Sequence, residues 1–206
     1  MNKRLVWNFE INSENLLNWT NLAANVKDEL RWEARFFWSP GTIITLHGLD
    51  ERFLLISDYQ VKHRQDSYSL LDDYDYNIKQ RRLQLLYKPL LKKTNIRGYG
   101  KKINLAEQHP DAVLAGTNQL FASTLVAQLH NNSQEVDVEK EALIYKLPTE
   151  PKIKLELARL EVAGKIYFSA CVEGHSQNLV TTIADHLLKD QISCDYVSFL
   201  KQALAP

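Results

Sequence analysis

Apolar and polar residues alternate with a period of two through several stretches of this chain, the spacing that puts them on opposite faces of a β-strand. In Lys152-Ile-Lys-Leu-Glu-Leu157, Lys152, Lys154 and Glu156 share one face and Ile153, Leu155 and Leu157 the other. The run Ile166–Glu173 sets Ile166, Phe168, Ala170 and Val172 against Tyr167, Ser169, Cys171 and Glu173. Glu29–Trp38 carries Arg31, Glu33 and Arg35 on one side, with Leu30, Trp32, Ala34 and Phe36 on the other. Asp75–Arg81 presents Asn77, Lys79 and Arg81 together. Further strands are predicted at 4–10, Gln65–Leu71 and Leu83–Leu90, with a tight turn near Arg82, and Ala163-Gly164 joins the two C-terminal strands. Thr42–His47 and Arg52–Ser57 read as a hairpin, while Glu139–Lys146 is ambiguous. Helices are expected from Asn12 or Ser13 to about Lys27 (apolar stripe Leu16, Leu17, Trp19, Leu22, Ala23), over about 117–129, and from a Ser176 cap to about Lys189. The glycine-bearing stretch 91–104 reads as a loop. The pattern predicts an α+β protein: an antiparallel sheet of about eight strands with peripheral helices.

Charge changes this picture locally. The 206 residues hold 25 Lys+Arg against 25 Asp+Glu, so the chain is neutral overall. Yet nine basic residues and no acidic one lie between Tyr76 and Ala106. A neutral chain does not suit a general nucleic-acid coat, but a local positive field attracts anions. The 45% hydrophobic content is ample for a core. No apolar run approaches the roughly 18 residues of a membrane span, and no signal-peptide core follows the N-terminus. Cys171 and Cys194 stand isolated, which points to packing roles and a cytoplasmic protein. One domain over 1–206 is expected.

The charged strand faces allow two arrangements. They can face water on an ordinary two-layer sheet, or curl inward around a polar cavity. The second would gather Arg35, Lys79, Arg81, Lys88, Lys152 and Lys154 with Glu33, Glu156 and Glu173. Guanidinium and ammonium groups hold phosphate oxygens, and carboxylates hold Mg²⁺ or Mn²⁺. No P-loop, Gly-x-Gly-x-x-Gly or Gly-x-Ser-x-Gly occurs, and the six histidines form no zinc-binding pair at helical spacing. The basic segment 79–102, with Tyr99 beside its lysines, offers an alternative surface for single-stranded nucleic acid.

The order of these elements resembles the CYTH superfamily, the triphosphate tunnel metalloenzymes. Asp66-Ser-Tyr68, Asn77-Ile-Lys79-Gln-Arg81 and Leu85-Leu-Tyr-Lys88 are similar to that family's middle strands. Lys152-Ile-Lys-Leu-Glu156 resembles its later basic strand, and Phe168-Ser-Ala-Cys-Val-Glu-Gly174 its closing acidic strand before a helix. The resemblance covers about 29–190 and leaves 1–28 as an N-terminal extension. It implies an antiparallel, barrel-like tunnel lined by charge. Arg35, Lys79, Arg81, Lys88, Lys152 and Lys154 would bind phosphate, and Glu33, Glu156 and Glu173 would bind Mg²⁺ or Mn²⁺. The ligand would be polyphosphate or a nucleoside triphosphate, bound and, if the protein is an enzyme, hydrolysed at a phosphoanhydride. The opening motif departs from the family's Glu-x-Glu-x-Lys: here it is Arg31-Trp-Glu33-Ala-Arg35. A cation in place of the first acid implies the alternative of a non-catalytic anion-binding module that has lost its metal site.

Overall fold

The computed structural model describes residues 2–22, 27–189 and 191–205. Its strands are β1 (Lys3–Val6), β2 (Phe9–Asn12), β3 (Arg31–Trp38), β4 (Ile44–His47), β5 (Gln60–Leu70), β6 (Asn77–Arg81), β7 (Gln84–Lys88), β8 (Leu90–Lys93), β9 (Arg97–Tyr99), β10 (Ile103–Asn104), β11 (Gln134–Lys146), β12 (Ile153–Val162) and β13 (Lys165–Gly174). The helices are α1 (Ala122–Asn132), α2 (Gln177–Leu188) and α3 (Tyr196–Leu204). Ten strands form one curled antiparallel sheet in the order β10-β7-β6-β5-β11-β12-β13-β3-β9-β8. This is the α+β antiparallel architecture expected from the pattern, in the tunnel-like form that the resemblance implied, with ten strands in the sheet rather than eight. β1, β2 and β4 make a separate small sheet.

The ends of the large sheet meet in one ribbon. β7 stops at Lys88 and β8 starts at Leu90, with only Pro89 between them. Proline has no N–H to continue a ladder, and the Pro89 carbonyl instead accepts the Gly100 N–H at 3.0 Å. The chain therefore leaves β6 at one end of the sheet and joins β9 at the other. This curls the sheet into a half-barrel with a distinct inner face.

Alternation then sorts side chains between inside and outside. The odd residues of β12 (Ile153, Leu155, Leu157) pack outward with Leu179, Val180, Ile183 and Leu187 of α2 and with Phe9, Ile11, Ile44 and Leu46 of the small sheet. On the opposite wall Ile78 and Tyr87 pack outward against Leu125 and Leu129 of α1. α3 behaves differently. Its Tyr196, Val197, Phe199 and Leu200 pack on the inward residues Tyr68, Val136, Val138, Ala158 and Leu160. Helix α3 is thus an apolar plug in one end of the half-barrel. It is held by Asp195, whose carboxylate accepts the Ser198 N–H at 2.9 Å, and by the Cys194 N–H, which donates to the Arg35 carbonyl at 2.7 Å.

Several local expectations are corrected. The helix expected from residue 12 is replaced, among the described residues, by a 3₁₀ turn at Trp19–Asn21 capped by Asn18; residues 23–26 of that span lie outside the described residues. Asn12 ends β2, and its side chain accepts the Glu14 N–H at 2.9 Å, so it closes a local turn. The hairpin over 42–57 does not form. β4 pairs in parallel with β2, and Glu51–Leu54 and Ile56–Asp58 are 3₁₀ turns, the first capped by Asp50 on the Arg52 N–H. The stretch 91–104 is not a plain loop, since it contributes to β8, β9 and β10. Its Gly98 is needed inside a strand because a Cβ there would lie 2.9 Å from the Trp32 ring. α1 starts at Ala122 rather than near 117 because Gly116 and Gln119 hold positive φ. The ambiguous stretch 139–146 belongs to the 13-residue β11 at the centre of the sheet. The tight turns at Arg82 (φ +56°) and Ala163-Gly164 (φ +49° and +74°) form as expected, as does the Ser176-capped helix.

Because Leu200 is fully buried in the plug, Leu200→Ala is expected to lower unfolding free energy by about 2–5 kcal/mol in urea titrations. Leu83→Ala, at a residue 96% exposed, is expected to stay within about 0.5 kcal/mol of the parent.

Candidate functional site

Ahead of the plug, the inner faces of β3, β5, β6, β7, β12 and β13 enclose a cavity of about 600 Å³. Of the residues singled out from the sequence, Glu33, Arg35, Lys79, Arg81, Lys88, Lys154, Glu156 and Glu173 line it. Lys152 does not: it is exposed and precedes β12. Lys62, Arg64 and Lys140, which the sequence reading did not single out, also line the cavity, as do Arg97, Lys101 and Lys102, which it read only as part of the basic segment. The signal for Lys62 and Arg64 was present, because Lys62-x-Arg64-x-Asp66-x-Tyr68 has strand spacing. The expected strand simply began too late, at Gln65 rather than Gln60. Twelve Lys and Arg side chains and six carboxylates line this one space.

Each carboxylate that is buried on the inner wall is held by cations. Glu156, 4% exposed, accepts from Arg35 Nη1 at 3.0 Å and from Lys140 Nζ at 2.5 Å. Asp66 accepts both Arg81 Nε and Nη2 at 2.6 Å and Lys79 Nζ at 2.8 Å. Glu33 accepts Lys88 Nζ at 2.5 Å, and that ammonium lies 3.7 Å from the centre of the Tyr99 ring. Glu173 is gripped by Arg31 through Nη2 at 2.5 Å and Nε at 3.2 Å. Burying a charge without a partner is prohibitive, whereas two-point guanidinium–carboxylate contacts are strong and directional.

The acidities follow. Burial pushes the Glu33 carboxyl up, but the pull of Lys88, Arg35 and Arg31 overrides it and holds it at about 2. Asp66 is likewise raised by burial, then lowered to about 2 by Arg81 and Lys79. Glu156 is driven below the ordinary range by Lys140 and Arg35, against its burial. On the basic side, burial brings Lys79 down to about 8, with Arg81 and Arg64 adding repulsion to the opposing pull of Asp66. Lys102 is exposed over much of its surface. Even so, desolvation at the cavity and then the charges of Lys79, Lys88 and Arg81 bring it down to about 8.

The arrangement therefore holds more positive charge than its own carboxylates answer. Among the described residues, Lys62, Arg64, Lys101, Lys102 and Lys154 line the cavity with no carboxylate within 4.0 Å. Two guanidinium nitrogens on the wall, Arg35 Nε and Arg97 Nε, are buried without a hydrogen-bond acceptor. Arg97 lies 3.6 Å from Asp195, too far for a hydrogen bond.

The aromatic faces of the cavity are occupied from within. Tyr68 stacks on Tyr196 at 5.3 Å, and Arg35 lies 5.0 Å from the Tyr196 ring. A possible metal group exists on the wall: Glu33, Cys171 and Glu173 each bring a ligand atom within 4.8 Å of the others, and Glu156 is not part of that group.

No family model and no curated protein matches this chain. Among solved structures, a "putative adenylate cyclase" from Bacillus halodurans superposes with a TM-score of 0.40 at 11% identity, covering 84% of this chain and 97% of that one. No helix among the described residues is long and apolar enough to cross a membrane.

Two outcomes are expected from this charge network. Glu156→Gln leaves Arg35 and Lys140 without their shared anion and is expected to cost about 3–5 kcal/mol in chemical denaturation. Glu33 and Asp66 have depressed folded-state pKa values, so their contribution to stability is full above their ordinary values of 4.5 and 3.8 and is lost as pH falls toward about 2. The midpoint of thermal unfolding is expected to drop steeply across that acid window and to recover on returning to neutral pH.

Proposed function

We propose that the cavity binds linear polyphosphate or a small molecule carrying a polyphosphate chain, and that the chain is a divergent relative of the CYTH superfamily acting as an anion-binding module. The observation that carries this reading is the set of cations without carboxylate partners around one enclosed space: Lys62, Arg64, Lys101, Lys102 and Lys154. Like charges crowded in a partly desolvated volume repel strongly. A ligand with several closely spaced negative oxygens relieves that repulsion at many points at once, as a phosphate chain does.

The paired residues have a different role from the unpaired ones. Asp66 fixes Lys79 and Arg81, and Glu156 fixes Arg35 and Lys140, so these cations are already oriented before a ligand arrives. In this reading Arg64 and Lys102 make the first contacts with phosphate, because neither has an internal anion to surrender. The network binds and orients an anion, and hydrolysis is weak or absent.

Division of the basic segment favours a small ligand over nucleic acid. Lys79, Arg81, Lys88, Arg97, Lys101 and Lys102 turn into the cavity, while Arg82, Lys92 and Lys93 are exposed and do not line it. A continuous outer basic surface, as a nucleic-acid strand needs, is thereby broken up.

Isothermal titration with tripolyphosphate tests the proposal. Binding is expected for the parent protein. The double variant Arg64→Ala, Lys102→Ala is expected to lose about tenfold or more, from the loss of charge-assisted hydrogen bonds. Lys92→Ala is expected to leave affinity unchanged. Affinity is also expected to fall as pH rises from 7 through 9, since burial brings Lys79 down to about 8 and it attracts anions only when charged. No heat and no thermal stabilisation with tripolyphosphate at any pH would exclude the reading.

A further inference from the structure

Glu33 and Glu173 are register partners on adjacent antiparallel strands, so two carboxylates stand directly opposite each other on the inner wall. Like charges in that position repel. With the Cys171 sulfur they bring three potential ligand atoms within 4.8 Å of one another, which makes this the group among the described residues best placed to hold a cation. The pair is already neutralised by the chain itself. Arg31 forks onto Glu173, with Nη2 on one oxygen at 2.5 Å and Nε on the other at 3.2 Å, so both oxygens are engaged. Lys88 reaches Glu33 at 2.5 Å from β7, and Tyr99 covers the same ammonium at 3.7 Å.

The donor set also suits a hard divalent ion poorly. Mg²⁺ and Mn²⁺ take oxygen ligands in an octahedral shell, and the third group here is a buried thiol. Glu156, across the ladder from Cys171, is outside the set whose ligand atoms lie within 4.8 Å of one another and is held by Arg35 and Lys140. A metal at Glu33–Glu173 would have to displace the Arg31 fork from Glu173 and sit beside the Lys88 ammonium on Glu33.

We infer that Arg31 and Lys88 are the resident counter-ions of the Glu33–Glu173 pair, occupying the place a divalent cation would take, so that the cavity takes up its anion without metal. The statement about metal rests on the ion-pair geometry alone; the statement about the anion rests on the binding reading above.

The test separates the two. Mn²⁺ is titrated into the purified full chain without phosphate, and free Mn²⁺ is followed by electron paramagnetic resonance. No protein-bound Mn²⁺ is expected up to millimolar metal. Arg31→Gln, which removes the charge, is expected to create a Mn²⁺ site with affinity raised by about tenfold or more over the parent, as loss of a directly adjacent like charge allows. Arg31→Lys, which keeps the charge and loses the fork, is expected to behave as the parent does. If Arg31→Gln fails to fold, Lys88→Gln serves in its place. A Mn²⁺ site of micromolar affinity in the parent would overturn the counter-ion assignment. Tripolyphosphate is titrated separately in EDTA and in EDTA-free buffer, where affinities equal within about twofold are expected. Binding that appears only when metal is present would overturn the metal-free uptake, and absence of binding in both buffers would fail the anion-binding reading while leaving the Mn²⁺ result to decide the first claim.

Discussion

Everything in this structure is arranged around the cost of putting charge inside a sheet. Charged side chains leave water only if their partners are fixed in advance, and the half-barrel provides those partners from neighbouring strands. Glu156 on β12 meets Arg35 from β3 and Lys140 from β11, and Asp66 on β5 meets Lys79 and Arg81 from β6. Arg35 lies 121 residues from Glu156, while the other pairs bridge strands consecutive in the chain, and in every case the polar interior is specified only when the strands adopt their correct register. A slip of one residue would turn each charge outward and bring an apolar side chain in.

The apolar parts answer the same constraint. α1 and α2 cover the outside of two walls, leaving the inner face free for charge, and α3 seals one end with Tyr196 and Phe199 against Tyr68 and Phe37. Sealing lowers the local dielectric for the groups next to the plug, which strengthens their internal pairs and sharpens repulsion among the cations left over. The surplus of positive charge is thus a property of the enclosure as much as of the residue count. The same twelve cations spread over an open sheet would simply be hydrated.

Much of this was legible in the sequence where alternation was strict. Period alone places Lys154 with Glu156, Glu33 with Arg35 and Lys79 with Arg81 on shared strand faces, and Glu173 on the polar face of its own strand, and the structure directs all of them inward. The rest was hidden for identifiable reasons. β11 is buried on both sides at some positions and charged at others, so Glu139–Lys146 shows no clean period, and Lys140 went unnoticed. β12 and β13 are clear because their turn, Ala163-Gly164, is sharp and exposed. α3 is short, and its apolar face turns into the barrel, a placement that no local pattern announces. The pairing of each carboxylate is likewise invisible in sequence, because it depends on which strands become neighbours. Arg31 is the exception: its spacing from Glu33 and Arg35 sets a third charge on that strand face, where it forks onto Glu173.

The central claim is that the unpaired cations of the cavity hold a phosphate chain. A crystal structure of the protein soaked with tripolyphosphate in the absence of metal tests it most directly. The account requires continuous phosphate density inside the cavity, within hydrogen-bonding distance of Arg64 and Lys102, with the Arg31–Glu173 and Lys88–Glu33 pairs intact. An empty cavity, with tripolyphosphate found only on the outer lysines Lys92 and Lys93, would contradict it.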